Sequence, residues 1–321
     1  MSALRPGPVR TVFFGSGPFA VPILEAVLIS AEVELVAVVS PPDRPVGRRA
    51  VVTPTPVAAR SRELGLRLLQ PARIRDDEAV AAIAGLRPGL GVLADYGRIV
   101  PATILELPPH GILNVHPSLL PRHRGASPIP ATILAGDPTT GVTLIRMDAG
   151  LDTGPIVASE GWRLNGTETA PEIEDLAART GARLLGRVLP GWLAGRIDAS
   201  PQDEASATLT RPLRREDGRL DPERMTAELE RQVRALQPWP GSFVDTVVGR
   251  ITVWRASPGA VATHDEPGRL LQADRLPALT TRDGQLLLHE VQPAGGRRMT
   301  GAELLRGRPA LVGSHVLSPD R

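Results

Sequence analysis

Apolar and polar positions follow two different periods along the first two thirds of the chain. Short continuous apolar runs predict buried strands, and apolar residues at every third or fourth position predict helices. Residues 10–15 predict a strand, residues 21–30 a helix and residues 33–40 a second strand, which together indicate a β-α-β unit of Rossmann type. The other elements predicted for this part are strands at 65–71, 90–97, 111–117 and 141–147 and a helix at 76–86. Strands that alternate with helices predict an α/β fold built on a mostly parallel, doubly wound sheet.

The pattern changes near residues 195–213, where small, polar and turn-forming residues predict a linker. Residues 225–236 predict an amphipathic helix, and short β-like runs separated by Gly and Pro then continue to residue 293. Such runs are typical of a small β-barrel. A chain of 321 residues is also long for a single core, so we expect two domains, at residues 1–205 and 206–321.

The composition narrows the classes of site that the chain can hold. It has no Cys, which excludes disulfides, thiolate metal sites and a cysteine nucleophile. Lys is also absent, so all 37 basic residues are Arg, and the formal net charge is only +2. The high isoelectric point therefore reflects the scarcity of groups that titrate above neutrality and is poor support for nucleic-acid binding. We see neither an apolar run long enough to span a membrane nor a secretion signal, and we expect a cytoplasmic protein.

Two polar residues stand at the end of the strand predicted at 111–117. Asn114 and His116 are two positions apart, so in a strand they project from the same face. Ligands of open α/β sheets bind just beyond the carboxyl ends of the strands. An amide donor beside an imidazole suits a developing oxyanion, and histidine can also carry a proton near neutral pH. The alternative is a histidine that only bonds backbone groups at the strand end.

A Gly-rich loop after the strand predicted at 141–147 carries Asp148 and Asp152. A carboxylate in this loop would orient His116, order a water molecule and relay protons. The alternative, which we favour for Asp148, is a carboxylate that only stabilises a turn. A metal site formed by these residues with His123 is a minor alternative, because they lack a recognised ligand spacing, and we expect no metal.

The first predicted strand ends in Gly15, Ser16 and Gly17. A dinucleotide-binding loop would have a third glycine where this chain has Ala20, and Glu34 would be its acidic residue. Because the third glycine is missing, we favour a tight turn between strand and helix. An NAD-dependent Rossmann enzyme remains an alternative class.

The segments NVHPSLLPRHRGASPI (114–129) and MDAGLDTGPI (147–156) together resemble the signature of folate-dependent formyltransferases. The resemblance implies that Asn114, His116 and Asp152 are the catalytic residues, since Asp152 lies in the matching LDTG. It also implies that the SLLP turn and the loop at 93–97 contact tetrahydrofolate. The residues implied as cofactor-binding are Ser118, Leu119, Leu120, Pro121, Leu93, Asp95, Tyr96 and Gly97. Asp95 departs from the family pattern, in which an apolar residue is common.

Other segments resemble the branch of this family that acts on initiator methionyl-tRNA. They are residues 12–27 and 41–49 near the start of the chain and residues 235–243, 251–256 and 292–307 near its end. This resemblance implies a C-terminal tRNA-binding domain similar to an OB-fold, and tRNA contacts from Arg44, Arg48 and Arg49. The basic residues that usually continue this loop are absent after Arg49.

The resemblance implies transfer of the formyl group of 10-formyltetrahydrofolate to the α-amine of initiator methionyl-tRNA, by a protein that we expect to be a monomer. Protonated His116 and the amide of Asn114 would stabilise the tetrahedral oxyanion, and Asp152 would hold His116. Three alternatives stay open. They are a formyltransferase for an amino-sugar nucleotide or other small amine, a hydrolase of 10-formyltetrahydrofolate, and a non-enzymatic RNA-binding protein. The C-terminal segments argue against the first, and the presence of all three polar residues argues against the last.

Overall fold

The computed structural model of the chain describes residues 7–46, 50–261 and 266–317. The chain divides into two compact units. The first comprises Met1–Pro128, Thr139–Arg163 and Glu174–Thr210, and the second comprises Ile129–Pro138, Leu164–Ile173 and Arg211–Arg321. Two short segments from the part of the sequence predicted as the first domain thus belong to the second unit. The domain boundary between residues 205 and 206 stays a prediction.

A seven-stranded sheet forms the first unit within the described ranges. The strands of this unit are β1 (Val9–Gly15), β2 (Val33–Val39), β3 (Arg44–Val46), β4 (Val51–Thr53), β5 (Leu68–Leu69), β6 (Leu90–Ala94), β7 (Ile112–His116), β8 (Arg124–Gly125), β9 (Thr139–Arg146), β10 (Ile156–Arg163) and β11 (Leu209–Thr210). The order in the sheet is β10-β9-β7-β6-β1-β2-β5. Strands β3 and β4 form a separate antiparallel hairpin, and β8 and β11 form a separate parallel pair.

Strands β7, β6, β1, β2 and β5 run parallel to one another, whereas β9 pairs antiparallel with both β7 and the edge strand β10. Strand β1 lies in the interior of this sheet, and its side chains alternate between two buried clusters. Phe13 belongs to the cluster on one face and Phe14 to the cluster on the other. Burial on both faces explains why these strands are continuous apolar runs in the sequence.

The helices of the described residues follow the apolar spacing of the sequence. They are α1 (Ala20–Ile29), α2 (Pro56–Glu63), α3 (Asp77–Ala84), α4 (Ala102–Leu105), α5 (Pro128–Ala135), α6 (Ala170–Leu193), α7 (Thr226–Ala235) and α8 (Gly301–Gly307), with 3-10 turns at Glu204–Ser206, Arg215–Gly218 and Pro309–Leu311. The buried residues of α1 recur at every third or fourth position, as an amphipathic helix requires: Ala20, Ile23, Leu24 and Val27. Helix α2 begins at Pro56, and the side chain of Thr55 caps it by accepting the N–H of Ala58.

An antiparallel sheet forms the second unit. Its strands are β12 (Ser242–Thr246), β13 (Gly249–Val261), β14 (Leu270–Ala273), β15 (Leu276–Thr281), β16 (Gly284–Pro293) and β17 (Met299–Thr300). The order is β12-β13-β16-β15-β14, and β17 pairs with β16. Leu229 of α7 and Leu304 of α8 join the same buried cluster as Val253 of β13, so both helices help to cover the core of this unit.

The predicted fold class is confirmed, because a mostly parallel α/β sheet is followed by an antiparallel β unit. The strand predicted at 65–71 is only Leu68–Leu69, a short edge strand beside β2. Helices α2 and α6 and strand β10 are not among the elements predicted from the sequence. Strand β10 has only one buried residue, so no apolar run marks it. In the part of the chain that the structure describes, no helix is long and apolar enough to cross a membrane.

Candidate active site

Asn114 and His116 lie on β7, between β6 and β9. Leu113 and Val115 point into the core on one face of the sheet, so strand alternation turns Asn114 and His116 to the other face. Both side chains are largely removed from solvent, since the residues are 5% and 4% exposed. Because β7 ends at His116, the pair stands at the carboxyl edge of the sheet, where α/β proteins bind their ligands.

The carboxylate of Asp152 contacts this pair from the loop after β9. Asn114 Nδ2 donates a hydrogen bond to Asp152 Oδ1 at 3.1 Å, and His116 Nδ1 lies 3.6 Å from Asp152 Oδ2. The N–H of Gly125 also donates to Oδ2, at 2.9 Å. Asp152 has a left-handed backbone with φ of 52°, a conformation in which Asp and Asn are among the best tolerated non-glycine residues. The fold thus brings the three predicted polar residues into one cluster.

The imidazole of His116 is oriented by a second contact on its other side. Its Nε2 lies 3.0 Å from the main-chain oxygen of His123, and a carbonyl oxygen only accepts, so Nε2 carries a hydrogen. Nδ1 faces Asp152 and is protonated only in the cation. Burial lowers the pKa of His116 below its ordinary value, although the charge of Asp152 opposes this effect. The lowered pKa favours the neutral imidazole, whereas the resemblance implied a protonated His116.

Asp148 stabilises a turn in the same loop. Its Oδ1 accepts hydrogen bonds from the N–H of Gly150 at 3.0 Å and from Thr153 Oγ1 at 2.7 Å. These contacts agree with the turn-forming role that the sequence analysis favoured for it. Across the described ranges, no group of three or more His, Cys, Asp or Glu side chains could hold a metal ion.

Residues 118–121 are held against β9 by hydrogen bonds. The N–H of Leu120 donates to Thr143 Oγ1 at 3.1 Å, and that hydroxyl donates to the main-chain oxygen of Ser118 at 2.7 Å. Ser118 is fully buried, and its own hydroxyl donates to the main-chain oxygen of Arg122 at 2.7 Å. The side chain of Ser118 therefore shapes the turn from inside. Contact between this turn and a folate stays a prediction.

The loop at 93–97 begins beside the catalytic candidates, because Leu93 of β6 and Asn114 of β7 are partners in the parallel register. Tyr96 points away from solvent, and its ring packs edge-on against Phe14 with 5.8 Å between centroids. Burial raises the pKa of Tyr96 to about 12. Tyr96 is thus a core residue of this loop, whereas the residues on either side of it are exposed.

Asp95 joins this loop to the turn after β1. Its main-chain oxygen accepts hydrogen bonds from the N–H and the hydroxyl of Ser16, at 3.0 and 2.5 Å. The side chain keeps contact with solvent, yet the loss of part of its hydration and the charge of Glu174 together raise the pKa of Asp95 to about 6. Burial also raises the pKa of Glu174. These two carboxyl groups form an acidic pair beside the Ser16 turn.

The side chain of Asp95 also explains the glycine at position 17 of that turn. A Cβ on Gly17 would come within 1.7 Å of Asp95 Oδ2, so the position requires glycine for close approach. Glu34 is the second residue of β2, at the sheet edge opposite the turn, and it pairs with Arg10 at 3.4 Å. It does not lie where an acidic residue would meet a dinucleotide, which supports the tight-turn interpretation.

Of the three arginines predicted to contact tRNA, the structure describes one. Arg44 lies on the β3–β4 hairpin and is exposed. Arg48 and Arg49 lie outside the described residues. In the C-terminal unit, Arg211 forms a bidentate pair with Asp217, at 2.8 and 2.6 Å, which occupies its guanidinium group.

Several groups that support the Asp152 cluster were not predicted from the sequence. Besides the backbone of His123 and Gly125, they include Gln202, which lies in the segment predicted as a linker. Its amide donates to the main-chain oxygen of Asp152 at 2.8 Å. No periodic pattern marks such a contact, because it joins loops that are distant in sequence.

Residues 9–189 match the family described as formyl transferase, and residues 212–309 match the family described as formyl transferase, C-terminal domain. The methionyl-tRNA formyltransferase of Chloroflexus aggregans is 41% identical over 309 residues, which cover 93% of this chain and 97% of that protein. The methionyl-tRNA formyltransferase of Halorhodospira halophila is 42% identical over 308 residues, which cover 96% and 99%.

Solved structures of lower identity share the fold. HypX from Aquifex aeolicus, in complex with tetrahydrofolic acid, is 17% identical with a TM-score of 0.61. The superposition covers 93% of this chain and 47% of that one.

Proposed function

Since the chain belongs to the formyl transferase family, we propose that it transfers the formyl group of 10-formyltetrahydrofolate to the α-amine of initiator methionyl-tRNA. The observation that carries the proposal is the contact of Asn114, His116 and Asp152 at the carboxyl edge of the sheet. These side chains are the groups that acyl transfer to an amine needs. The near full-length similarity to two methionyl-tRNA formyltransferases supports methionyl-tRNA as the acceptor.

The reaction forms a bond between the amine nitrogen and the formyl carbon, and the formyl oxygen becomes a tetrahedral oxyanion. The amide of Asn114 has two N–H groups, and one of them is bound to Asp152. The second is available to donate to the oxyanion. One preorganised donor of this kind is worth about 3–4 kcal/mol in the transition state.

Neutral His116 acts as the base in this mechanism. Its Nδ1 is the unprotonated nitrogen and takes the proton that the attacking amine loses. The resulting imidazolium lies beside the Asp152 carboxylate, 3.6 Å away, which stabilises its charge. The C–N bond to the folate then breaks, and the imidazolium returns the proton to the departing folate nitrogen. Atoms and charges balance without a covalent intermediate on the enzyme.

The folate would lie against the two segments that flank the strand end. These are the turn at 118–121 and the loop at 93–97, which begins in register with Asn114. The exposed residues of the loop, Asp95 and Gly97, are the ones that face a ligand in this arrangement. Ser118 and Tyr96 contribute by holding the two segments from inside.

Arginines would bind the tRNA through its phosphates. Arg44 is exposed on the β3–β4 hairpin, and Arg48 and Arg49 follow it in the sequence. A contact of this kind makes affinity fall as salt rises, with a log–log slope of about one per phosphate neutralised. The C-terminal unit, which matches the C-terminal domain of formyl transferases, would also bind tRNA.

A formylation assay with purified protein, 10-formyltetrahydrofolate and charged initiator methionyl-tRNA tests the proposal. Parallel reactions contain free methionine, an amino-sugar nucleotide or no acceptor. We expect formyl only on methionyl-tRNA. Formyl on the amino sugar would support formyl transfer but contradict methionyl-tRNA as the acceptor. Formate released without an acceptor would indicate a hydrolase.

A further inference from the structure

We propose that Gln202 is a positioning residue for Asp152 and that residues 200–210, predicted as part of a linker, are a structural component of the active site. This inference rests on the proposed function for its catalytic readout. The segment begins with a two-way backbone bridge between Ser200 and Ile156, at 2.7 and 2.8 Å. It ends with β11, which pairs with β8. It therefore crosses both loops that supply groups to the catalytic cluster.

All polar atoms of the Gln202 side chain are engaged. Its Nε2 donates to the main-chain oxygens of Asp152 and Gly154, at 2.8 and 2.7 Å. Its Oε1 accepts from Arg124 Nε at 3.0 Å. Gln202 thus fixes the backbone on both sides of Thr153, in the loop where Asp152 holds its left-handed conformation. A Cβ on Gly154 would come within 2.0 Å of the main-chain oxygen of Arg146, so this loop has little room to shift.

Arg124 connects Gln202 to the other loop. It is 3% exposed, and its guanidinium forms a bidentate pair with Glu204, at 2.9 and 2.8 Å. Arg124 stands between His123 and Gly125, whose backbone groups bind His116 and Asp152. A buried guanidinium is costly unless it is paired, so the contacts to Gln202 and Glu204 hold this backbone in place.

Strand β11 and Thr208, the residue before it, fix the same backbone through further hydrogen bonds. Thr208 Oγ1 accepts the N–H of His123 at 2.8 Å, and Thr210 Oγ1 donates to the main-chain oxygen of Arg124 at 3.0 Å. Leu209 and Thr210 pair in register with Arg124 and Gly125. The 200–210 segment therefore supports both the acceptor of the His116 N–H and the donor to Asp152.

The test variant is Gln202→Met, which keeps the size and removes the two N–H donors without adding charge. Catalytic groups displaced by about 1 Å lose on the order of a hundredfold in rate, so we expect a decrease in kcat of about 10- to 100-fold. The KM values for methionyl-tRNA and for 10-formyltetrahydrofolate should change by less than about twofold, because Gln202 touches the catalytic loop rather than a substrate.

A second readout separates positioning from general stability. The Asp152 charge raises the pKa of His116, so a less closely held Asp152 lowers the NMR titration midpoint of the His116 imidazole. Ser30→Ala is the control, since Ser30 lies between α1 and β2, outside the 200–210 segment, and its hydroxyl accepts the N–H of Glu32 at 3.3 Å. Its kcat and its His116 midpoint should equal those of the wild type.

Glu204→Gln serves as a second variant if Gln202→Met does not fold, because Glu204 is solvent-accessible and supports Arg124 alone. It should lower kcat in the same direction and by less. Wild-type kcat and an unchanged His116 midpoint in Gln202→Met would overturn the inference. A wild-type protein that is inactive on methionyl-tRNA would overturn the proposed function instead, and the midpoint would still test the position of Asp152.

Discussion

Asn114 Nδ2 donates to Asp152 Oδ1 at 3.1 Å, so one amide hydrogen is held inside the protein and the other remains for a substrate. This contact sets the direction of the second N–H. We expect Asn114→Ala to lower kcat by about 10²- to 10³-fold, because it removes an oxyanion donor. Single-turnover formylation measures the loss. Asn165→Ala, in an exposed turn, is the control and should keep the wild-type rate. Near-normal turnover in Asn114→Ala would show that the oxyanion is held elsewhere.

His116 should titrate below the ordinary histidine value of 6.5, because burial disfavours its cation. Replacing Asp152 by Asn removes the charge that opposes this effect, so the midpoint should fall further. NMR of the imidazole Cε1–H across pH follows both proteins directly. A midpoint at or above the ordinary value in the wild type would restore the mechanism that begins with a protonated imidazole.

Asp95→Asn should stabilise the protein above about pH 6 and have no effect near pH 4. The folded-state pKa of Asp95 is raised from 3.8 to about 6, so its favourable contribution is complete below the unfolded value and is lost as pH rises through the folded value. Solvent contact screens the effect, so we expect about 1 kcal/mol at neutral pH. Asn also tolerates the left-handed φ of 41° at this position.

Chemical denaturation at the two pH values measures the difference. Glu174→Gln removes one cause of the raised pKa and should reduce the benefit of Asp95→Asn. An equal gain in stability at both pH values would contradict the electrostatic explanation.

Gly125→Ala should destabilise the fold by about 1–3 kcal/mol and lower activity. The residue has φ of 103°, and a Cβ would come within 2.4 Å of the main-chain oxygen of Thr210. The N–H of Gly125 also donates to Asp152, so a shift of the Gly125 backbone would displace this carboxylate and lower activity. Gly186→Ala is the control, since Gly186 lies in α6 with open space around it. That change should stabilise the helix by about 0.5–1 kcal/mol, and thermal unfolding compares the two.

Arg44→Ala should weaken tRNA binding and reduce the salt slope of the affinity by about one, if Arg44 neutralises one phosphate. Filter binding at several salt concentrations gives the slope. Arg179→Ala removes an exposed arginine that already pairs with Asp175 on α6, and it should leave the slope unchanged. An unaltered slope in Arg44→Ala would remove the hairpin from the tRNA-binding surface.

The sequence by itself determined the fold class and the face of β7 that carries Asn114 and His116. Both depend on the pattern of neighbouring residues, which the sequence contains: buried strands are apolar runs, and strand residues two positions apart share a face. The motif around Asp152 was also sufficient to single it out. Strand β10 was not predicted, because it lies at the sheet edge and has only one buried residue. Strand β5, also at an edge, was predicted too long.

Only the tertiary structure decided the surroundings that lower the pKa of His116, those that raise the pKa of Asp95 and the contacts of Gln202. Each depends on groups that are far apart in sequence and meet only after folding. The free energy of ionising a side chain is set by its burial and its neighbours, neither of which a linear pattern records. Gln202 and Asp152 are 50 positions apart, and their hydrogen bond turns a segment with the composition of a linker into part of the site.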